Sequence, residues 1–551
     1  MVTAPGWLPA QQLLLVAVAL LSFGVALRLA GVGESVGPRL RSRFVLGVPW
    51  GTFSITLFVL WVYLVVQGGW HHPYSPTVLP YRAWSYFYPL GMLVSPFAHA
   101  SLGHLVGNLV GTLTFGTMAE YAWSHYPRER GRQTFTSLGT NPFARIALFV
   151  AGTLAVGVLT GLFVLGPSIG FSGVVFGFAG FALLRYPIGT VVALTAGQVL
   201  SLLYSALRTP TVEAGGQPAF VTPWWSNIAI QGHALGLFIG AVLAVLLVRR
   251  RDARPSALRL WLATLLFAAS QGLWAVYVPL SGGQFRLYRA VGTALVFVLA
   301  ALFVSAVRSP DRTLLSRIDL SYREATFGLV VGVTLALALV AVPFNLFAVA
   351  NPDAGVTEQN SVEVHDYTVF YAHDVPNQYV SAVDVDALGA SSSVNASGVI
   401  VASADREVWW EVVPTSRLAY DGRSYVRVGG LGWRDTVVAN FSGWTPAGNR
   451  TAYVVSLEHD DTRRLAFASK PSTADPTIEG RNVTFVPGRE FTLVVSRADE
   501  TVGKAALPGV NRTTSAGGLT FSREDHARGD RIYVSTANGT RVRIATEPSR
   551  P

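Results

Sequence analysis

Ten mostly apolar stretches follow one another through the first 350 residues of this chain, at roughly 10–30, 45–67, 97–120, 144–165, 171–186, 187–206, 227–248, 258–280, 289–307 and 325–349. About 20 such residues in a helix cross the hydrocarbon of a bilayer. A helix also satisfies its own backbone polar groups there. The sequence therefore predicts a polytopic all-α membrane bundle. Charged residues make up only 13% of the 551, against about 25% in a typical soluble domain. The fifth stretch is short and glycine-rich, which suits a helix shielded by its neighbours. The absence of cysteine excludes disulfide frameworks, thiolate metal sites and cysteine nucleophiles.

The net charge of +10 divides unevenly. Residues 1–350 carry 22 Lys+Arg and 8 Asp+Glu, and residues 351–551 carry 20 and 24, so the balance is +14 then −4. The basic residues sit in loops between apolar stretches, and a nucleic-acid partner gains no support from them. Arg39, Arg41 and Arg43 follow stretch one, and Arg128, Arg130 and Arg132 follow stretch three. Arg249, Arg250, Arg251 and Arg254 follow stretch seven, and Arg308, Arg312, Arg317 and Arg323 follow stretch nine. Basic loops stay inside, so both termini are expected outside a multi-pass protein of the cell (plasma) membrane. The N-terminus lacks the leading positive charge of a signal peptide and reads as an outside-to-inside helix.

From about residue 356 the pattern changes to short β-branched and aromatic runs between Gly, Asn, Asp and Pro turns, such as 363–370, 451–457 and 491–495. These predict a β-sandwich-like soluble domain, or two smaller sandwiches. Six Asn-x-Ser/Thr sequons fall here, at Asn395, Asn440, Asn449, Asn482, Asn511 and Asn538, and none in the first 350 residues. They are candidate glycosylation sites, and their clustering agrees with an extracytoplasmic location. The expected division is an extra helix with a basic loop (1–43), a core (44–250), three extra helices (251–350) and the β-rich domain (351–551).

Ionisable side chains inside spanning helices default to a functional reading. Of ten histidines, three fall within the stretches: His99, His104 and His233. With stretch three entering from outside near Phe97, His104 lies roughly 10 Å deep, and His233 roughly 9 Å deep in stretch seven. Ser172 opens stretch five from the same side. Asn108 follows His104 by four residues and shares its helix face, whereas His99, five residues before His104, points elsewhere. The plainer reading is that these groups bond helices together. Gly173, Gly177 and Gly180 form a smooth face on stretch five, and Gly236 and Gly240 another near His233. Small faces allow close approach and would bring Ser172 toward His233. A serine hydroxyl needs a base to become a nucleophile. His233, the sole histidine of the later stretches, is that base by elimination, with no carboxylate beside it, so a dyad is expected. His104, Asn108 and the Ser172 backbone N–H are candidate donors to an oxyanion, and Glu120 is expected to anchor a loop or cap a neighbouring helix.

This arrangement resembles the rhomboid family of intramembrane serine proteases over about residues 44–250. Phe97-Ala-His99 with His104 and Asn108 looks like the family's His-x4-His-x3-Asn motif. Gly170-Phe171-Ser172-Gly173 is similar to its Gly-x-Ser-Gly nucleophile motif. His233-Ala-Leu-Gly236 with Gly240 is similar to its His-x2-Gly-x3-Gly motif, and Glu120 falls where a glutamate often closes the second core helix. The resemblance implies a six-helix core and a Ser172–His233 dyad that hydrolyses a peptide bond in or near a transmembrane helix. It further implies His104 and Asn108 on the oxyanion side and His99 as a structural partner. The chain departs from the family in its first outer loop, where Arg82 and Trp84 are displaced from the usual aromatic-arginine pair. At Phe176 the family commonly has tyrosine; phenylalanine can still stack on His233. Transmembrane substrates and the lipid bilayer are the expected partners, with no metal, no other cofactor and no nucleic acid. The alternative is a rhomboid-like, non-catalytic binder of transmembrane helices with a cell-surface binding domain. A transporter is disfavoured, because the polar groups gather toward the outer leaflet.

Overall fold

The computed structural model describes all residues except 1–7, 31–32, 128–132, 210–228, 252–253, 280–284, 348, 350, 379–394, 527–528 and 549–551. The chain forms two compact units, one helical and ending at Leu346, the other β-rich from Phe347 onward.

The helical unit begins with α1 (Leu8–Ala30), α2 (Gly33–Arg43), α3 (Trp50–Trp61), α4 (Pro89–Val94), α5 (Leu102–Gly111), α6 (Thr117–Trp123) and α7 (Pro142–Leu162). It continues with α8 (Ser172–Arg185), α9 (Pro187–Arg208), α10 (Ile230–Arg251), α11 (Ala257–Ser270), α12 (Arg289–Arg308), α13 (Tyr322–Leu339) and α14 (Ala341–Leu346). Local chemistry sets several starts. Asn141 caps α7, its side chain accepting from Phe143 N and Ala144 N, with Pro142 in the first turn. Ser321 and Glu324 form a reciprocal capping box on α13. Among the described residues, five helices are long and apolar enough to cross a membrane: Pro142–Leu162, Pro187–Arg208, Ile230–Val248, Arg289–Arg308 and Tyr322–Leu346. Four shorter apolar helices, Ala10–Val25, Trp50–Val66, Ser172–Arg185 and Ala257–Ser270, accompany them.

Two boundaries differ from expectation, and several of the described apolar helices are short or interrupted. Stretch three is divided by a wider π-type turn at Thr112–Gly116 between α5 and α6, and its helix starts at Leu102, not near Phe97. Ser101 is extended there, and its hydroxyl accepts from His104 N, which fixes the helix start. Stretch eight ends as a helix at Ser270; Gly272 then takes a left-handed φ of 71°, and the chain leads into a short strand pair, β1 (Tyr277–Pro279) with β2 (Phe285–Leu287). Another such pair, β3 (Thr313–Leu315) with β4 (Leu320–Ser321), precedes α13.

The α8 helix sits at the centre of this unit, with Gly173, Val174 and all of Phe176–Gly180 buried. Its glycine face meets that of α10. A Cβ on Gly236 would lie 1.9 Å from the Gly173 carbonyl oxygen, and one on Gly240 1.9 Å from that of Gly177. Only hydrogen at these positions permits the approach. The later helices join the same apolar core: Phe267 of α11 meets Phe115 and Phe176 edge-on, and Phe303 of α12 meets Phe238 of α10.

The β-rich unit holds β5 (Ser361–Val364), β6 (Tyr367–Pro376), β7 (Asn395–Ser403) and β8 (Val408–Pro414), which form an antiparallel sheet in that order. A short helix, α15 (Thr415–Asp421), leads to β9 (Arg423–Gly430), β10 (Trp433–Pro446), β11 (Ala452–His459) and β12 (Thr462–Ala468). The long β10 pairs β9 on one edge and β11 on the other, then reaches β20 (Arg541–Thr546) through Thr445 and Pro446. Next come β13 (Ser472–Thr473), β14 (Asn482–Val486), β15 (Thr492–Arg497), β16 (Glu500–Ala506), β17 (Thr513–Ala516), β18 (Leu519–Glu524) and β19 (Arg531–Ser535). β13–β16 make one antiparallel sheet, and β17–β20 continue the sheet begun by β9–β12. Alternate residues of β14, β15, β18 and β19, such as Phe485, Leu493, Phe521 and Val534, share one apolar core. A second core gathers Phe370, Ile400 and Trp409. The region is thus built from antiparallel sheets, with these two among its buried apolar clusters. Asn395, Asn449, Asn511 and Asn538 are exposed, while Asn440 and Asn482 are half-buried in strands.

Candidate active site

Ser172 is the first residue of α8, and His233 is one turn into α10. The glycine seam sets their separation: His233 Nε2 and Ser172 Oγ are 2.8 Å apart, within hydrogen-bond range. Phe176, one turn after Ser172 on α8, stacks on the imidazole at 4.3 Å between ring centroids and 12° between planes. This fixes the ring face. The other ring nitrogen, His233 Nδ1, is buried and finds no partner among the described residues, so no carboxylate orients it. The donors of the first turn of α8 have no acceptor inside the helix, and the Ser172 N–H is among them.

His104 and Asn108 approach the same point from α5. Gly170 precedes Ser172 by two residues at φ 130°, a conformation that favours glycine. A Cβ there would lie 2.4 Å from His104 Cε1, 2.7 Å from its Nε2 and 3.6 Å from Asn108 Nδ2. Asn108 Nδ2 is buried with no acceptor among the described residues, a donor left open beside the nucleophile's turn. His99 lies in the turn before α5, not on the helix. Its ring meets that of His104 edge-on at 5.1 Å, and its backbone carries its hydrogen bonds. Gln67 accepts from His99 N at 2.7 Å and donates to His99 O at 2.8 Å. A cavity of about 20 Å³ beside Ser172 is lined by Ser95, Thr160, Ser168, Gly232 and His233, among others, and has room for about one water. The site thus joins a paired hydroxyl and imidazole, unpaired donors and space for a small reactant.

Residues 86–250 match the family model of the Rhomboid domain. The chain contains a rhomboid domain. No curated protein and no solved structure matches it. The domain and its apolar helices make this a multi-pass integral membrane protein. Among the described residues, no group of three or more His, Cys, Asp or Glu could hold a metal ion.

Glu120 lies at the far end of the α5–α6 helix, 12 residues beyond Asn108. Its carboxylate accepts from Gly51 N and Thr52 N at 2.8 Å each and from Thr52 Oγ1 at 2.7 Å, which caps the start of α3. His125 Nε2 completes the buried cluster at 2.6 Å, and His125 Nδ1 accepts from Val45 N at 2.9 Å. Just ahead of the matched segment, Arg82 donates to the Pro167 carbonyl at 2.8 Å, and Ala83 N to that of Ser168 at 3.0 Å. The displaced arginine of the first outer loop therefore grips the turn that leads to Ser172. Sequence reasoning missed this grip because the two segments are 85 residues apart.

Proposed function

We propose that the protein is an intramembrane serine endopeptidase that cleaves peptide bonds in or near transmembrane segments of other proteins. The observation that carries this reading is the 2.8 Å contact between Ser172 Oγ and His233 Nε2, beside the unpartnered Asn108 Nδ2 of α5 and the Ser172 N–H at the start of α8. In the reaction, His233 Nε2 takes the Ser172 proton as Oγ adds to the scissile carbonyl carbon. The Ser172 N–H, Asn108 Nδ2 and His104 receive the developing oxyanion, each such donor being worth about 2.7–4 kcal/mol. Collapse breaks the C–N bond, and His233 returns the proton to the leaving amine. A water, deprotonated by the same imidazole, then hydrolyses the acyl-enzyme. Phe176 holds the imidazole plane throughout. The basic loops support a topology with both termini outside and residues 351–551 extracytoplasmic, on the cell membrane; the exposed sequons suit that side.

The test compares wild type, Ser172→Ala and His233→Ala in membranes, against a labelled single-span substrate. Each substitution is expected to lower cleavage by about 10⁴–10⁶-fold, as for the catalytic groups of soluble serine proteases. Cleavage that survives Ser172→Ala refutes the assigned nucleophile. A folded wild type that cuts no member of a panel of helices favours the non-catalytic helix binder.

A further inference from the structure

The loop that delivers Ser172 is held from outside the matched segment. After α7 ends at Leu162, nine residues lead to Ser172, and backbone groups from Leu162 onward are taken up in turn. Asn345 Nδ2, from α14, donates to Leu162 O at 3.2 Å and to Val164 O at 3.0 Å. Gln231 Nε2, from α10, donates to Phe163 O at 2.8 Å, and Gln231 Oε1 accepts from Leu165 N at 2.8 Å. The second hydrogen on Gln231 Nε2 goes to Leu337 O, near the end of α13, at 2.6 Å. Tyr86 closes the ring: its N–H donates to Asn345 O at 3.1 Å and its hydroxyl to Leu162 O at 2.8 Å. Gln231 lies two residues before His233. One loop is therefore tied both to the helix of the base and to the last apolar helix pair.

Asn345 is fully buried, and its Oδ1 meets no donor among the described residues. An apolar side chain would avoid that unpaired acceptor, so the position is explained by the two bonds that its amide donates.

We propose that Asn345 is a positioning residue for the Ser172–His233 dyad, acting with Gln231 through residues 162–165. The helices α13 and α14 are then a working part of the catalytic unit. This rests on the serine-protease reading above. Without the Asn345 donors, the Val164 carbonyl loses its partner, the Leu162 carbonyl keeps only the Tyr86 hydroxyl, and the loop relaxes. The turn at Gly170 and the start of α8 then shift against His233. The chemical step suffers, while substrate binding does not depend on these bonds.

The test uses the full chain in proteoliposomes, with Asn345→Leu, Asn345→Asp and Gln231→Leu. Two readouts are taken: kcat and KM on a labelled single-span substrate, and the rate at which a fluorophosphonate probe labels Ser172. Each variant is expected to lose about 10–100-fold in kcat and in labelling, with KM nearly unchanged, because small misplacements of reacting groups act on that scale. Asn345→Leu combined with Gln231→Leu adds little to either alone, since both act on one loop. Val330→Ala, at a buried position on α13 that touches none of these bonds, destabilises the same helix and keeps its kcat. Folded Asn345 variants with wild-type kcat and labelling overturn the proposal, as does a Val330→Ala loss equal to theirs. If Asn345→Leu does not fold, Gln231→Leu decides by the same two results. A wild type that neither cleaves nor labels at Ser172 overturns the protease reading as well, a distinct result from normal wild-type activity with indifferent Asn345 variants.

Discussion

Gly236→Ala adds one methyl group to the seam between α8 and α10. The new Cβ would lie 1.9 Å from the Gly173 carbonyl oxygen, a backbone atom that no rotamer change can move. Real Cβ atoms essentially never come within 3.0 Å of such an atom, so the two helices must part by about 1 Å or more at that turn. Gly173 directly follows Ser172, and His233 precedes Gly236 by just under one turn. The displacement is therefore applied at the dyad itself. The 2.8 Å contact opens beyond about 3.5 Å, outside useful hydrogen-bond range. A misplacement of about 1 Å lowers rate on the order of 100-fold, while overpacking destabilises by about 1–3 kcal/mol. The assay is the initial rate of cleavage in proteoliposomes, with the thermal midpoint of the same preparation. Gly152→Ala on α7, where nothing lies within 4 Å of the added Cβ, is the matched control and should leave the rate unchanged. A folded Gly236→Ala that cleaves at the wild-type rate would refute the view that this seam sets the dyad.

Two further outcomes follow from other parts of the chain. Glu120→Gln keeps the side chain's size but turns one acceptor into a donor facing the α3 terminus, and should destabilise the protein by about 1–3 kcal/mol; an unchanged thermal midpoint would sink the capping role. In the β-rich unit, burial pushes the Asp366 carboxyl up, but the hydrogen bond and charge of Arg406, with Ser403 and its own backbone N–H, outweigh this and hold it below 3.8. A depressed carboxyl stabilises the fold above its ordinary range and loses that contribution as pH falls through the lowered value. Asp366→Asn should therefore be less stable than wild type at pH 7, with the gap closing as pH falls below about 3.8. Denaturant melts followed by tryptophan fluorescence at both pH values test this, and a gap of equal size in acid contradicts it.

What could be read in advance from the sequence was whatever had a local period. Gly173, Gly177 and Gly180 against Gly236 and Gly240 is a spacing with one geometric consequence, close helix approach, and the structure has it. The start of α5 was not legible, because hydropathy runs unbroken from Phe97 while the helix is begun by a hydroxyl cap at Ser101. The early end of α11 was hidden likewise: residues 271–279 carry no charge, and only Gly272 betrays the turn. The larger omission was one of chemistry. Charged and imidazole groups stand out within the apolar stretches, whereas Gln231 and Asn345, neutral amides, do not. Yet a primary amide offers two donors and an acceptor, enough to hold several backbone groups of an irregular loop. Backbone groups that the fold shields from water need partners within the protein. Arg82, Gln231 and Asn345 do this from three separate segments. The nucleophile's motif is legible by itself, but what holds its loop lies 85, 68 and 181 residues away. Distance in sequence, not weakness of interaction, is why that half of the site had to wait for the fold.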